Sequence, residues 1–148
     1  MREILFRGKA INREKGYHKT KYKNNEWVYG IVSRLYDERF KNLPAEMTNT
    51  DGVSGIDIDY KTVGQYTGLT DKNGTKIFEG DILSFSDRLV YVYWQENCGC
   101  WDCRYIKSIG GKATSHEERN PNKWKFATVV IGNIHDNSEL LEGGIENV

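Results

Sequence analysis

The sequence has little of what marks membrane, secreted or disordered proteins. It contains no run of about 18 apolar residues, so we expect no membrane-spanning helix. Residues 1–10 lack the apolar stretch of a signal peptide, and only three cysteines occur in the 148 residues. These features together predict a cytoplasmic protein in a reducing compartment, without a disulfide framework.

Motifs for catalysis are also missing. His18, His116 and His135 are scattered, and none adjoins a serine or cysteine in a nucleophile motif. There is no phosphate-binding glycine loop. Asp71 begins a segment with calcium-like spacing, but Gly74 falls at the fourth position where such a loop needs glycine at the sixth. We therefore expect no enzyme activity, no catalytic residue and no cofactor, and we expect His135 and Asp136 to make local hydrogen bonds.

The three cysteines are clustered as Cys98, Cys100 and Cys103. This spacing offers three thiolates, and His116 or His135 could add the fourth ligand of a zinc site. Structural zinc sites usually have two ligand clusters, however, and Cys100 and Cys103 should point to opposite faces of a strand. We expect no metal site, and buried or unreactive thiols in preference to a disulfide. A zinc-stabilised regulator remains an alternative.

Aromatic residues are abundant at 12%, which predicts a folded chain. Short runs of β-branched and aromatic residues alternate with turn residues, a pattern typical of a β-sandwich or small barrel. The predicted strands are residues 3–11, 27–32, 55–60, 63–69, 82–86, 89–94, 100–106 and 124–133. Residues 42–55 and 110–123 are predicted loops, 33–40 a helical turn or irregular segment, and 138–141 one helical turn.

Residues 63–83 carry the clearest local folding signals. Asp71 to Gly74 is a turn sequence, since aspartate accepts hydrogen bonds from nearby amides and glycine tolerates positive φ. Gly80 and Asp81 predict a second turn, after which Ile82 begins a strand.

Charge is unevenly distributed although the net charge is zero. Residues 1–25 contain eight Lys or Arg against two Glu, a local charge of +6, and the rest of the chain carries −6. A basic segment can bind nucleic acid or dock on an acidic surface of its own chain or a second copy, and we favour docking. Within this segment we predict a partner-binding loop on a long hairpin. Its candidate residues are Tyr17, Lys19, Lys21, Tyr22 and Lys23.

Several blocks make the sequence similar to a known family. These blocks are MREI and FR in residues 1–7, WVYG at 27–30, VGQYTGL, DKNG and IFEGDI within 63–82, and VIGNIHDN and ELL within 130–141. They run through the chain in the order of the YopX family of small bacteriophage and prophage proteins, which the sequence resembles. The resemblance implies a mostly β fold related to SH3-like barrels and a phage or prophage origin, but no established activity. Residues 12–25 and 110–123 look unlike the typical member.

The sequence thus predicts one mainly β domain with little helix. Residues 1–60 should form a β-hairpin and strand layer, residues 61–141 a small SH3-like barrel, and residues 142–148 an acidic tail. For function we favour a non-enzymatic phage accessory protein that binds a host or phage protein. The alternatives are nucleic-acid binding through Arg2 to Lys23 and the zinc-stabilised regulator.

Overall fold

The computed structural model describes residues 1–12, 21–35, 44–109 and 121–142. The chain divides into two compact units, residues 1–65 and 66–148. Most of the described residues lie in strands. These strands are β1 Phe6–Ala10, β2 Trp27–Arg34, β3 Ala45–Asn49, β4 Ile56–Thr70, β5 Lys76–Phe78, β6 Asp81–Phe85, β7 Arg88–Gln95, β8 Cys100–Ser108 and β9 Thr128–Asn133. One α-helical turn, α1 Trp124–Ala127, and the 3-10 helices Pro121–Lys123 and Ser138–Leu141 complete the described elements.

In the N-terminal unit, four strands close into a ring. β1 pairs with β2, β2 with β3, β3 with β4, and β4 pairs back with β1, all antiparallel. The apolar side chains that point inward pack into one core. Its buried members are Ala10, Val28, Ala45, Met47, Ile56 and Ile58, with Phe6, Tyr22, Val32 and Val63 packed against them.

The strand β3 was not expected, because residues 42–55 read as a loop. Ala45, Glu46, Met47 and Asn49 are weak strand formers, yet the segment is buried at every second residue. It is a strand because β2 and β4 pair with it on both sides. Without β3, the expected arrangement is a hairpin and one further strand, which explains why the sequence predicted a layer over residues 1–60 where the structure has a closed ring.

The C-terminal unit contains an antiparallel sheet in the order β8-β7-β6-β9. Because side chains alternate along β6, Leu83 and Ile82 point to opposite faces of this sheet. Leu83 joins Val90, Val92, Cys103, Trp124 and Ile77 in one core cluster. Ile82 packs with Leu89 and Ile106 in a second cluster, which Leu140 and Leu141 cover.

The predicted final strand, residues 124–133, begins later than expected. Trp124 is fully buried and starts the helical turn α1, which the Thr128 hydroxyl closes by donating to the Trp124 carbonyl at 2.7 Å. Pairing with β6 begins only at Thr128. Exposed Phe126 does not follow the alternation of a half-buried strand, so the aromatic composition of this segment was misleading.

The mainly β fold with little helix is confirmed. The helical turn at residues 138–141 and the alternation of valine and tyrosine along β7 are also confirmed. The predicted helical or irregular segment beyond residue 35, the loop at 110–120 and the tail beyond residue 142 lie outside the described residues. An SH3-like barrel over residues 61–141 stays a prediction.

Candidate interaction surface

The predicted partner-binding loop is described only in part. Tyr17 and Lys19 lie outside the described residues. Lys21 and Lys23 are exposed, and the Lys21 ammonium lies 5.7 Å from the centre of the Tyr22 ring. The Tyr22 ring packs against the core of the N-terminal unit, and its hydroxyl accepts a hydrogen bond from Asn49 Nδ2 at 2.9 Å. Tyr22 therefore contributes to the packing of the N-terminal unit. A partner-binding role for the loop stays a prediction.

Two basic side chains of strand β1 lie against the Trp27 ring in the same unit. The Arg7 guanidinium lies 4.6 Å from the centre of the Trp27 ring, and the Lys9 ammonium lies 5.3 Å from it. Such cation–π contacts stabilise the pair by about 0.5–2 kcal/mol, depending on burial. Arg7 is only 6% exposed, so it is not placed to contact a phosphate backbone in solvent.

The turn after β4 is organised by the buried carboxylate of Asp71. Its Oδ1 accepts hydrogen bonds from the amides of Asn73 and Thr75, both at 2.9 Å, and Gly74 adopts a φ of +81°. Its Oδ2 accepts from the amide of Val130 in β9, also at 2.9 Å. Burial raises the pKa of Asp71, but these amide hydrogen bonds outweigh it, so the pKa lies below its ordinary value of 3.8. The turn predicted from the sequence is confirmed.

The blocks around Gly80 and His135 meet at one end of the β6–β9 pair. Asp81 lies opposite Asn133, and its Oδ2 accepts from the Phe78 amide at 2.8 Å. The Asn133 side chain accepts from the amides of His135 and Asp136 and donates to the Asp136 carboxylate. The predicted local hydrogen bonding of His135 and Asp136 is confirmed. These polar residues therefore form a turn after β9.

The end of the β7–β8 hairpin extends past β6. Tyr91 is the last residue of β7 in register with β6, whereas the pairing of β7 with β8 continues from there to Gln95 and Cys100. We call residues 93–102 the hairpin arm. On one of its faces Trp94 and Trp101 lie directly opposite each other, with ring centres 4.9 Å apart and edge to face. The Trp94 side chain is 42% exposed.

The other face of the hairpin carries a stacked arginine. The Arg104 guanidinium lies 4.9 Å from the Tyr93 ring centre and 6.0 Å from that of Tyr91. The Tyr93 hydroxyl donates to Asp102 Oδ2 at 3.2 Å and accepts from Gln95 Nε2 at 3.4 Å. Interaction with Tyr91, followed by a hydrogen bond to Tyr93, raises the pKa of Arg104 above its ordinary value. These contacts hold an exposed cation in place on two half-buried tyrosine rings.

The three cysteines have two different environments. Cys98 and Cys100 form a disulfide at the tip of the hairpin arm, which corrects the expectation of thiols throughout. Cys103 points into the core cluster with Val92 and is 5% exposed, as expected for a small apolar side chain. The expectation of a disulfide-free chain came from the presumed compartment, whereas the C-x-C spacing at a tight turn brings the two sulfurs together.

Two general features of the described residues bear on function. No group of three or more His, Cys, Asp or Glu side chains in residues 1–12, 21–35, 44–109 and 121–142 is arranged to hold a metal ion. In the same residues, no helix has the length and apolar composition needed to cross a bilayer.

The sequence analysis did not identify the hairpin arm as a candidate site. It placed Tyr91 and Tyr93 on one face of a strand, but only the register shows that Asp102 and Arg104 lie opposite them.

The fold and the surface define a mainly β protein of two units with an aromatic hairpin arm. A family model described as YopX protein matches residues 6–142, and the chain belongs to the YopX family. No curated protein matches the sequence. A similar solved structure is the crystal structure of protein EF1440 from Enterococcus faecalis, with 24% identity and a TM-score of 0.51. The match covers 95% of this chain and 99% of that one, and it supports the fold.

Proposed function

We propose that the protein is a non-enzymatic accessory protein of a phage or prophage that binds a host or phage protein in the bacterial cytoplasm. The observation that carries the proposal is the hairpin arm with Arg104 beside it. Trp, Tyr and Arg are the residue types that contribute most of the binding energy at protein interfaces. Here all three types occur at one end of one hairpin.

The conformations of these side chains are already fixed by contacts, which favours a binding surface over one that is merely solvated. Association costs free energy for each side chain that it immobilises, about 0.5–1.5 kcal/mol for a flexible one. Arg104 is already held against Tyr93, and Trp94 against Trp101, so less of this cost remains. On the face that carries Arg104, Asp102 and Gln95 add hydrogen-bonding groups beside the Tyr93 ring, which suits the mixture of aromatic and polar groups at an interface.

The test is affinity capture of the tagged protein from a lysate of the organism that carries the gene, with and without nuclease. We expect one protein at stoichiometric yield. Trp94 and Arg104 lie on opposite faces of the hairpin, so Trp94→Ala and Arg104→Ala test the two faces separately. The variant on the face that the partner contacts should weaken binding by about 30-fold or more, since such residues contribute about 2 kcal/mol or more.

Arg34→Ala is the matched control. Arg34 is an exposed arginine that pairs across strands with Glu46 at 3.2 Å in the N-terminal unit. It should leave capture unchanged. Equal capture by all three variants would remove the hairpin arm from the proposal. Nucleic acid in the eluate, or a partner lost on nuclease treatment, would instead support binding through residues 2–23, with an affinity that falls steeply with salt.

A further inference from the structure

The disulfide at the tip of the hairpin arm is open to solvent. Only Gly99 separates Cys98 from Cys100, and Cys98 is exposed while Cys100 is half-buried. Gly99 has a φ of +59°, and apart from its two chain neighbours no residue has an atom within 4 Å of the position that a side chain would take there. Because Cys98 is itself exposed, a thiolate from solution can approach its sulfur.

The position of this disulfide implies that it contributes little to the stability of the fold. A disulfide stabilises a protein mainly by closing a loop of the unfolded chain, and the effect grows with loop length. This bond joins residues two apart in sequence, so the loop is among the shortest. The strands beside it are already held together by the pairing of Gln95 with Cys100 and by the facing rings of Trp94 and Trp101. Breaking the bond should leave the hairpin paired.

The third cysteine has the opposite character. Cys103 lies opposite Val92 and packs in the core, where burial makes a thiol unreactive. It is therefore an internal control: a reagent that modifies only solvent-exposed sulfur should reach the tip and spare Cys103 until the protein unfolds.

We propose that the Cys98–Cys100 bond is a thiol–disulfide exchange site that takes small thiols such as glutathione. An external thiolate attacks Sγ of Cys98 and forms a mixed disulfide. The Cys98–Cys100 bond breaks, and its electron pair leaves on the sulfur of Cys100, which takes a proton from water. A second thiolate attacks the external sulfur and releases Cys98. Two external thiols are oxidised to their disulfide while the two cysteines are reduced. The test of this site does not depend on partner binding, because it counts thiols in the protein alone.

The first test equilibrates the folded protein in a series of ratios of reduced to oxidised glutathione. After quenching and alkylation, the mass of the intact chain counts the thiols. We expect a reversible change of two alkylated thiols across the series, with the native spectrum retained and a Tm shift below about 5 °C. A bond that opens only when the protein unfolds would overturn the proposal, and so would a pair that never closes in oxidised glutathione.

The second test compares the accessibility of the two sulfurs with single variants in oxidised glutathione, where the remaining cysteine thiolate attacks the glutathione disulfide and releases one glutathione thiolate. Cys100→Ser should form an adduct on Cys98 several-fold faster than Cys98→Ser forms one on Cys100, because Cys98 is the more exposed. The double variant Cys98→Ser/Cys100→Ser should form none while folded. Equal rates in the single variants, or an adduct on Cys103 in the folded double variant, would contradict the assignment.

Discussion

The two units solve the problem of exposed strand edges in different ways. The N-terminal unit closes β1, β2, β3 and β4 into a ring, so that every strand has a partner on both sides. The C-terminal unit has an open sheet in which β8 and β9 are the outer strands. An open edge presents amides and carbonyls that can pair with another chain. The comparison shows that closure protects the first unit, while the second depends on individual side chains.

Aspartate side chains accept hydrogen bonds from backbone amides on both outer strands of the open sheet. On β9, Asp71 accepts from the Val130 amide, and the Lys72 amide donates to the Thr128 carbonyl. On β8, Asp102 Oδ1 accepts from the Cys103 amide at 2.8 Å. An amide that already donates to a carboxylate is less available to an added strand. The open sheet should therefore be the more sensitive of the two units to loss of one polar side chain.

The largest effect is expected from Asp71→Ala. This change removes the acceptor of three amides, and Asp71 itself is 2% exposed. Hydrogen bonds to a charged group contribute about 1.5–3 kcal/mol each, and their effects overlap, so the free energy of unfolding should fall by about 3–5 kcal/mol. Urea unfolding measures this. Asp51→Ala, at an exposed turn of the N-terminal unit, should change it by less than about 0.5 kcal/mol. A similar loss in both variants would contradict the comparison.

The closed ring should be most sensitive to a methyl group at Gly30. A side chain there would lie against the Thr48 carbonyl and within 2.8 Å of the Asn49 Cα, so β2 and β3 would have to separate. Overpacking costs about 1–3 kcal/mol, and contact with rigid backbone places Gly30→Ala near 3 kcal/mol. Hydrogen exchange should speed up in all four strands of the ring, because each depends on closure. Ser33→Ala, on the exposed end of β2, should not change exchange, and exchange confined to β2 would argue against a cooperative ring.

Acid should weaken the contribution of Asp71 in a defined direction. Its pKa is lower in the folded chain than in the unfolded one, so its stabilisation is complete above the unfolded value of about 4. The stabilisation is lost as pH falls through the folded pKa, by about 1.4 kcal/mol for each unit of lowering. The difference in unfolding free energy between wild type and Asp71→Asn should therefore shrink below pH 4. A difference that stays constant from pH 7 to acid would show that the charge has no part in it.

The same contrast explains how much of the fold could be predicted from the sequence. The turns at Asp71 and Gly80 and the two faces of β7 follow from local chemistry, so the sequence predicted them. Strand β3 depends on pairing with β2 and β4, the strands before and after it in the chain, and among its own residues only Thr48 is a strong strand former. The closure of the ring depends on β3, so it could not be predicted without it.

The candidate site was less predictable for a similar reason. Tyr22 has the composition of a binding-loop residue, but its hydroxyl contacts Asn49, 27 positions further along the chain. Arg104 and Tyr93 form their contact through the register of β7 with β8, which no local pattern reveals. Asp102 lies in strand β8, as the sequence predicted, but its contact with Tyr93 follows only from the register. Sequence reasoning found the aromatic residues but not the partners that order them.

The smallest expected effect, from Tyr22→Phe, distinguishes a structural tyrosine from an exposed one. The change removes the acceptor of the Asn49 amide group, and Asn49 is buried while its Oδ1 also holds the amides of Asp51 and Val53. We expect a loss of about 1 kcal/mol in the free energy of unfolding, because a buried donor loses its partner. The matched change is Tyr105→Phe in the C-terminal unit, where an exposed hydroxyl contacts Ser108 Oγ at 3.0 Å. It should cost less than about 0.5 kcal/mol, since water replaces that contact. Equal losses of unfolding free energy in the two variants would mean that the Tyr22 hydroxyl is also hydrated. Tyr22 would then again be a candidate for contact with a partner.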